Sequence, residues 1–219
     1  MKATTLNQVV AITFMAIYGH GNLVLASEPN SLDESIHALQ AEWARIYYQI
    51  PDHELQEDAV DILADQAHVL TAEFPNRAEA LIWEGIILST SASINGGISA
   101  LGKVKKARSL FEAALEIDDQ ALQGSAYTSL GSLYYQVPGW PIAFGDNDKA
   151  EKLLKKALTI NPTGIDPNYF YGDFLVEEGR TDEARSHFQK ALSAPDRPGR
   201  SLADKGRRQE IKAALEELD

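Results

Sequence analysis

The sequence predicts an all-α fold built from antiparallel helix pairs, and three observations lead to this prediction. After residue 30, apolar residues recur at alternating three- and four-residue steps, which is the spacing of one helix face. Three segments share the pattern A-x3-[F/L]-x2-A, and a helical stretch with a glycine precedes each of them. No stretch alternates apolar and polar residues between turn residues, so we expect no strands.

The first 26 residues differ from the rest and have the pattern of a secretory signal. Lys2 is their only charged residue, residues 9–18 form an apolar core, and Val-Leu-Ala occupies residues 24–26. This pattern predicts cleavage after Ala26 and therefore an exported, periplasmic protein. A membrane span needs about 20 apolar residues, so we expect no integral span in the mature chain. The alternative is an uncleaved N-terminal anchor.

Residues 31–76 are predicted to form a first, degenerate helix pair. Ser31 and Glu34 have the spacing of a capping box, which satisfies free N–H groups where a helix starts. Pro51 and Asp52 end the first helix and begin the second. The apolar face of the first helix consists of Leu32, Ile36, Leu39, Trp43, Ile46 and Ile50.

Three later segments align with one another, and small residues stand at equivalent places in each. Glycine in the middle of a helix costs about 1 kcal/mol relative to alanine, so three equivalent glycines indicate a packing requirement. A small residue lets two helices approach closely, and a large residue beside it fills the space. The aligned residues are Ala107, Phe111 and Ala114, then Ala150, Leu154 and Ala157, then Ala184, Phe188 and Ala191, and the upstream glycines are Gly85, Gly131 and Gly172.

These residues resemble the tetratricopeptide repeat, whose pattern is W-x2-L-G-x2-Y, then A-x3-F, then P, over 34 residues. Around Gly131 the matching residues are Tyr127, Leu130 and Tyr134. The resemblance covers residues 78–195 and implies a right-handed superhelix of antiparallel helix pairs, a tetratricopeptide-like α-solenoid. The expected parts are a signal peptide at 1–26 and one domain at 27–219, with repeats at 31–76, 77–119, 124–162 and 165–195 and a capping helix at 201–218.

The same resemblance implies a concave groove, lined by the first helix of each repeat, that binds a protein or peptide partner. The implied groove residues are Ile82, Ile86, Thr128, Ser132, Tyr135, Gln136, Tyr169, Asp173 and Glu177. Their mixture of polar and aromatic side chains suits an extended segment of a partner. We therefore expect an adaptor or assembly scaffold.

Two repeats carry an insertion between their helices. The glycine and the alanine are 12 residues apart in the ideal repeat, as Gly172 and Ala184 are, but 22 and 19 residues apart in the two earlier repeats. The first insertion predicts an extended helix with a kink at Gly96 and Gly97.

The second insertion, residues 137–146, contains two prolines and two glycines and is predicted to be a loop. Its aromatic residues are Trp140 and Phe144. They either bind a partner or pack on their own repeat, in which case Trp140 would cover Tyr134 and Leu153.

This loop also suggests an alternative function. Exported repeat proteins with such a loop before the second helix resemble the periplasmic repeat subunit of certain tripartite substrate-binding transport systems, and residues 144–150 carry the resemblance. It implies an accessory subunit that binds or passes a small molecule, with Trp140 and Phe144 shaping an apolar pocket. That subunit family is typically lipid-anchored through a cysteine, and this chain has none.

Composition and spacing disfavour several function classes. The chain has 32 Asp and Glu against 20 Lys and Arg, so its acidic surface repels nucleic-acid phosphates. Without cysteine there is no thiolate metal site and no cysteine catalysis. The motif G-x4-G-K at residues 97–103 lacks both the following Ser or Thr and the preceding strand of a phosphate-binding loop. No catalytic constellation stands out, so we expect a non-enzyme with no cofactor and no metal.

Two charged clusters each have two interpretations. The acidic cluster consists of Asp52, Glu54, Glu57, Asp58 and Asp61, and the basic cluster consists of Arg197, Arg200, Lys205, Arg207, Arg208 and Lys212. The acidic cluster favours a helix N-terminus electrostatically, with weak calcium binding as the alternative. The basic cluster is either a solvated helix face or a patch for anions or for the acidic half of a second copy, which would give a homo-oligomer.

Residues 201–218 are predicted to form the capping helix, with Ser201 as its N-cap and Ile211, Leu215 and Leu218 on one face. A repeat array needs such a helix because its last repeat otherwise leaves an apolar face in water.

Overall fold

The computed structural model describes residues 31–218, and the predicted signal peptide at residues 1–26 lies outside the described residues. Within this part of the chain there are nine α-helices and no strand, and none of the helices is long and apolar enough to cross a membrane. The helices are α1 Leu32–Gln49, α2 His53–Glu73, α3 Ala78–Asn95, α4 Gly97–Ile117, α5 Ala121–Gln136, α6 Asn147–Ile160, α7 Ile165–Glu177, α8 Thr181–Leu192 and α9 Ser201–Glu217.

This architecture confirms the prediction of an all-α fold. The most extensive helix contacts join α3 to α4, α5 to α6, and α7 to α8. Smaller contacts join each pair to the next, and α3, α5 and α7 also touch in succession. The pairs therefore stack as a solenoid, with α3, α5 and α7 along one side of it.

In each of these three helix pairs, the two helices approach each other closely at a glycine. A Cβ built at the glycine would meet the large side chain that the sequence pattern places on the facing helix. The three pairs and the resulting distances are Gly85 with Phe111 at 2.5 Å, Gly131 with Leu154 at 2.8 Å, and Gly172 with Phe188 at 2.7 Å. Real Cβ atoms do not approach so closely, so the predicted packing requirement is confirmed.

The start of α1 has the predicted capping box. The Glu34 N–H donates to Ser31 Oγ at 3.3 Å, and the Ser31 N–H donates to Glu34 Oε2 at 3.2 Å. The predicted apolar face is buried from Leu32 to Ile46, and Ile50 is the half-buried C-cap.

The first insertion is a turn between two helices, so the predicted kink within one helix is wrong. α3 ends at Asn95 and α4 begins at Gly97. The φ angles of Gly96 and Gly97 are 59° and 70°, and this left-handed backbone reverses the chain. The extra residues therefore lengthen both helices of the pair.

α9 differs from the predicted cap in two respects. Its N-cap is Arg200, which makes no side-chain cap hydrogen bond, and Ser201 is its first helical residue. It packs against α7 and α8, as a cap would, but also against α1 at the other end of the array. Gly206 of α9 lies so close to Tyr48 of α1 that a Cβ would overlap the ring. α9 therefore joins the last repeat to the first.

Candidate functional site

The array contains a cavity of about 950 Å³. Residues of α1, α3, α5 and α7 form most of its lining, together with Phe111 of α4, residues 160–164, residues 195–198, Arg200 and Arg207. Because α9 holds the two ends of the solenoid together, the space is a cup rather than an open groove. Its volume lies at the upper end of the range of small-molecule sites.

Five of the nine predicted groove residues line this cavity. They are Ile86, Thr128, Ser132, Gln136 and Tyr169. Three of them follow each other at four-residue steps on α5 and therefore lie on one face of that helix. This face gives the cavity a polar strip, to which Ser125 and Ser129 also belong.

The other four predicted groove residues do not line the cavity. Ile82 is fully buried in an apolar core shared by α3, α4 and α5, so its assignment to an accessible groove is wrong. Tyr135 is buried, and its hydroxyl donates to Asp173 at 2.6 Å, which joins α5 to α7. Burial, with help from this carboxylate, raises the pKa of Tyr135 well above its usual value. Glu177 is exposed at the end of α7.

Aromatic side chains that the resemblance does not assign to the groove form another wall of the cavity. Trp43 and Tyr47 of α1 stack at 5.4 Å between ring centroids, and Trp43 meets Trp83 of α3 edge-on at 6.1 Å. Trp43 Nε1 donates to Thr90 Oγ1 at 2.9 Å, which fixes the ring. The periodicity of α1 predicts Trp43 as a core residue, but it does not indicate that the same face borders a cavity.

Three of the six residues in the basic cluster, Arg197, Arg207 and Arg208, pair with carboxylates of this chain, so a solvated face is the wrong interpretation for these arginines. Arg197 Nη1 lies 2.5 Å from Asp166 Oδ2, and Arg207 Nε lies 3.2 Å from Asp166 Oδ1. Arg197 also contacts Asp204 at 2.6 Å, and Arg207 contacts Glu210 at 2.5 Å. Burial alone would raise the pKa of Asp166, but the neighbouring arginines outweigh it and lower this pKa to about 2. Asp166 of α7 thus anchors α9.

Arg200 differs from these arginines. Among residues 31–218 its buried Nε has no hydrogen-bond partner, and its guanidinium carbon lies 5.1 Å from the ring centroid of Trp83. Trp83 Nε1 is likewise buried without a partner in this part of the chain. Burial, followed by repulsion from Arg197, lowers the pKa of Arg200. Both Arg200 and Trp83 line the cavity.

The inserted loop, residues 137–146, separates its two aromatic residues. Phe144 packs edge-on against Tyr134 at 5.5 Å, and the Arg108 guanidinium lies 4.5 Å from the Phe144 ring centroid. Trp140 is 89% exposed, so the alternative in which it covers Tyr134 and Leu153 is wrong. Phe144 therefore packs on its own repeat, and Trp140 projects from the loop.

The remaining sequence candidates have structural roles. Residues 97–103 form the start of α4, and Lys103 Nζ donates to Asp61 Oδ1 at 2.7 Å and to Ser91 Oγ at 2.6 Å. Asp52 caps α2 by accepting from Leu55 N at 3.0 Å. Across the described residues, no group of three or more His, Asp or Glu side chains is arranged to hold a metal ion.

Comparisons with known proteins found one family model and several solved structures that are similar to this chain. Residues 142–198 match the family model described as tetratricopeptide repeat. The crystal structure of a thermophilic tetratricopeptide-repeat protein from Thermus thermophilus is similar, with a TM-score of 0.56 at 19% identity over 84% of this chain and 92% of that chain. The pilF protein of Pseudomonas aeruginosa also matches, with a TM-score of 0.35 at 13% identity over 86% of this chain and 94% of that chain.

No curated protein matches the chain. The likeness to the Thermus thermophilus structure therefore shows the fold, and the family match falls on the stretch from the inserted loop through α8. The described residues form an all-α solenoid of the tetratricopeptide-repeat type, as the repeat pattern predicts.

Proposed function

We propose that this chain is a non-enzymatic, periplasmic interaction module that works as an adaptor or assembly scaffold. The fold supports the general part of this proposal, because tetratricopeptide repeats are generally scaffolds that bind protein partners. A fold does not by itself identify a function, so the specific part must rest on a site.

The observation that carries the proposal is the exposure of Trp140. Its ring is 89% exposed, and Ile142, two residues further, is 64% exposed. The base of the loop is held by Phe144 against Tyr134 and by a hydrogen bond from Gly145 N to Pro138 O at 3.0 Å. A large aromatic side chain on a braced loop loses little conformational entropy on binding and supplies much of the energy of an interface.

The cavity extends this docking surface. Gln136 lines the cavity and is the last residue of α5, and the loop begins at the next residue. A partner segment that contacts Trp140 can therefore continue along the polar strip of α5. Hydroxyl and amide side chains on this strip offer both donors and acceptors to a peptide backbone.

The test is capture of the partner by the full-length, tagged chain, with in-cell cross-linking followed by mass spectrometry. We expect Trp140→Ala to lose the cross-linked partner while its melting temperature stays within about 2 °C of the wild type, because the ring contacts little of its own repeat. Ile62→Ala is the matched control, since Ile62 is a large apolar residue on α2 that is 60% exposed. A Trp140→Ala chain that is stable and still captures the partner would remove the loop from the site.

A second candidate function is an accessory subunit of a periplasmic transport system that binds or passes a small molecule. The contribution of α9 to the lining of the cavity favours it, because a concave cup suits a small ligand better than a long peptide. Trp140 and Phe144 do not line this cavity, although the sequence suggests that they shape an apolar pocket. Its aromatic side chains come from α1, α3, α4 and α7 instead.

A further inference from the structure

The charges that line the cavity do not balance. Three arginines and two aspartates line it. Asp166 is shared between Arg197 and Arg207, and the other lining aspartate, Asp196, pairs with Arg208 at 2.8 Å. Arg200 therefore borders the cavity without a carboxylate at hydrogen-bond distance among the described residues.

A second unsatisfied group lies beside Arg200. Trp83 is 3% exposed and lines the cavity, and its Nε1 has no hydrogen-bond partner in residues 31–218. The Arg200 guanidinium stacks over this indole. Buried donors are normally satisfied, so the unpaired guanidinium of Arg200, which lines the cavity, is the group to which a ligand would supply the missing acceptor.

The backbone adds to the positive field of this corner. Gly164 and Arg200, the N-cap residues of α7 and α9, both line the cavity, and neither makes a side-chain cap hydrogen bond. Free N–H groups at helix starts attract anions. Asp166 already offsets part of this attraction in the first turn of α7, whereas the first turn of α9 has Asp204 turned toward Arg197.

The walls beside Arg200 are flat and aromatic. Trp83, Trp43 and Tyr47 form one continuous set of ring contacts, and Tyr169 and Phe170 of α7 line the cavity as a second aromatic patch. Such walls bind a planar, apolar body through burial and ring stacking.

We propose that the cavity is a binding site for a small organic anion with a planar apolar body, whose carboxylate accepts from Arg200 while its body packs on the accessible aromatic side chains of the lining, Tyr47, Tyr169 and Phe170. This inference deepens the second candidate function and rests on it. The ligand carboxylate would pair with Arg200, as carboxylates of α7 and α9 pair with Arg197 and Arg207. The polar side chains of the α5 strip would offer hydrogen bonds in the rest of the cavity.

The experiment compares two probes of equal shape on the full chain, 2-naphthoate and the neutral 2-naphthylmethanol, by isothermal titration calorimetry. We expect 2-naphthoate to bind at least tenfold more tightly, because only the acid can form a charge-assisted hydrogen bond with the guanidinium. In Arg200→Gln we expect this preference to disappear while the affinity for the alcohol stays unchanged. Arg45→Gln is the control, since Arg45 is an exposed arginine of α1 that pairs with Glu42 outside the cavity.

A second variant keeps the test decisive if Arg200→Gln does not fold. Ser129→Phe fills the cavity from the polar strip of α5, and we expect it to weaken both probes at least tenfold. Equal affinity of the wild type for the two probes would overturn the proposal, and so would unchanged binding of 2-naphthoate to either folded variant. Partner capture through Trp140 is measured separately and does not depend on Arg200, so the failure of one proposal leaves the other standing.

Discussion

At the scale of single residues, the closest contacts of the fold are those between a glycine and a large side chain. Gly85 lies against Phe111, and equivalent contacts occur in the next two helix pairs. Both halves of each contact belong to patterns that recur in the sequence, so the pairing of these helices could be predicted although insertions change the distance between the two halves. The alanines of the pattern are equally tight, since Ala150 and Ala184 are fully buried.

Enlarging one of these alanines should destabilise the fold. We expect Ala184→Leu to lower the free energy of unfolding by about 1–3 kcal/mol, because the added atoms have no space in a close helix interface. Ala113→Leu, on the exposed side of α4, is the control and should change stability by less than about 0.5 kcal/mol. Urea unfolding of both variants measures the effect, and an unchanged midpoint for Ala184→Leu would contradict the assigned packing.

The two aromatic residues of the inserted loop show that residue type alone does not predict which of them packs on the repeat. Phe144 and Trp140 stand four residues apart in a segment rich in proline and glycine, and either could have packed on Tyr134. Phe144 does so because its ring contacts Arg108 of α4 and Tyr134 of α5. These residues lie outside the loop in the sequence, so the local sequence pattern of the loop does not predict the contact.

At the scale of secondary-structure elements, α9 departs furthest from what the sequence predicts. Its apolar face, with Ile211 fully buried, predicts correctly that the helix packs on the array. Its second contact, with α1, involves residues about 160 positions away in sequence, such as Gly206 with Tyr48. Because that contact depends on a small residue, Gly206, rather than on a periodic apolar stripe, periodicity could not reveal it. The cavity and its aromatic wall from α1 were missed for the same reason.

The attachment of α9 to α7 should depend on pH through Asp166. The pKa of Asp166 in the folded state is about 2, below the ordinary value of an aspartate. The ionised carboxylate therefore contributes fully to the free energy of unfolding above about pH 4, and this contribution is lost as the pH falls toward 2. A shift of this size corresponds to about 2 kcal/mol. We expect Asp166→Asn to lower the melting temperature at pH 7 and to narrow its gap to the wild type between pH 4 and pH 2.

Asp65→Asn, on the exposed side of α2, is the matched control for this measurement and should follow the wild type at every pH. Thermal unfolding by circular dichroism at pH 7, 4, 3 and 2 gives the comparison. A gap between Asp166→Asn and the wild type that stays constant down to pH 2 would show that the carboxylate does not hold α9 through its charge.

At the scale of the whole molecule, the solenoid has its two ends joined. An open array presents its concave side along its full length, whereas here α9 reaches from α7 and α8 to α1 and leaves a cup of about 950 Å³. A partner segment would then contact the projecting loop and the α5 strip of the cup, and a small ligand would bind at the corner of the cup that holds Arg200. The two proposals are therefore compatible within a single chain.

The last prediction concerns the N-terminal segment of the whole chain. The described residues begin with the capping box at Ser31, so four residues separate the predicted cleavage site after Ala26 from the first described residue. Cleavage there leaves the domain intact, and we expect mass spectrometry of the protein from the periplasm of a Gram-negative host to show Ser27 at the N-terminus. Ala26→Phe is the matched variant, because a large side chain at the cleavage site should block processing and keep the chain in the membrane fraction. A wild-type chain that starts at Met1 in the cytoplasm would contradict export, and one that stays uncut in the membrane would favour the anchor.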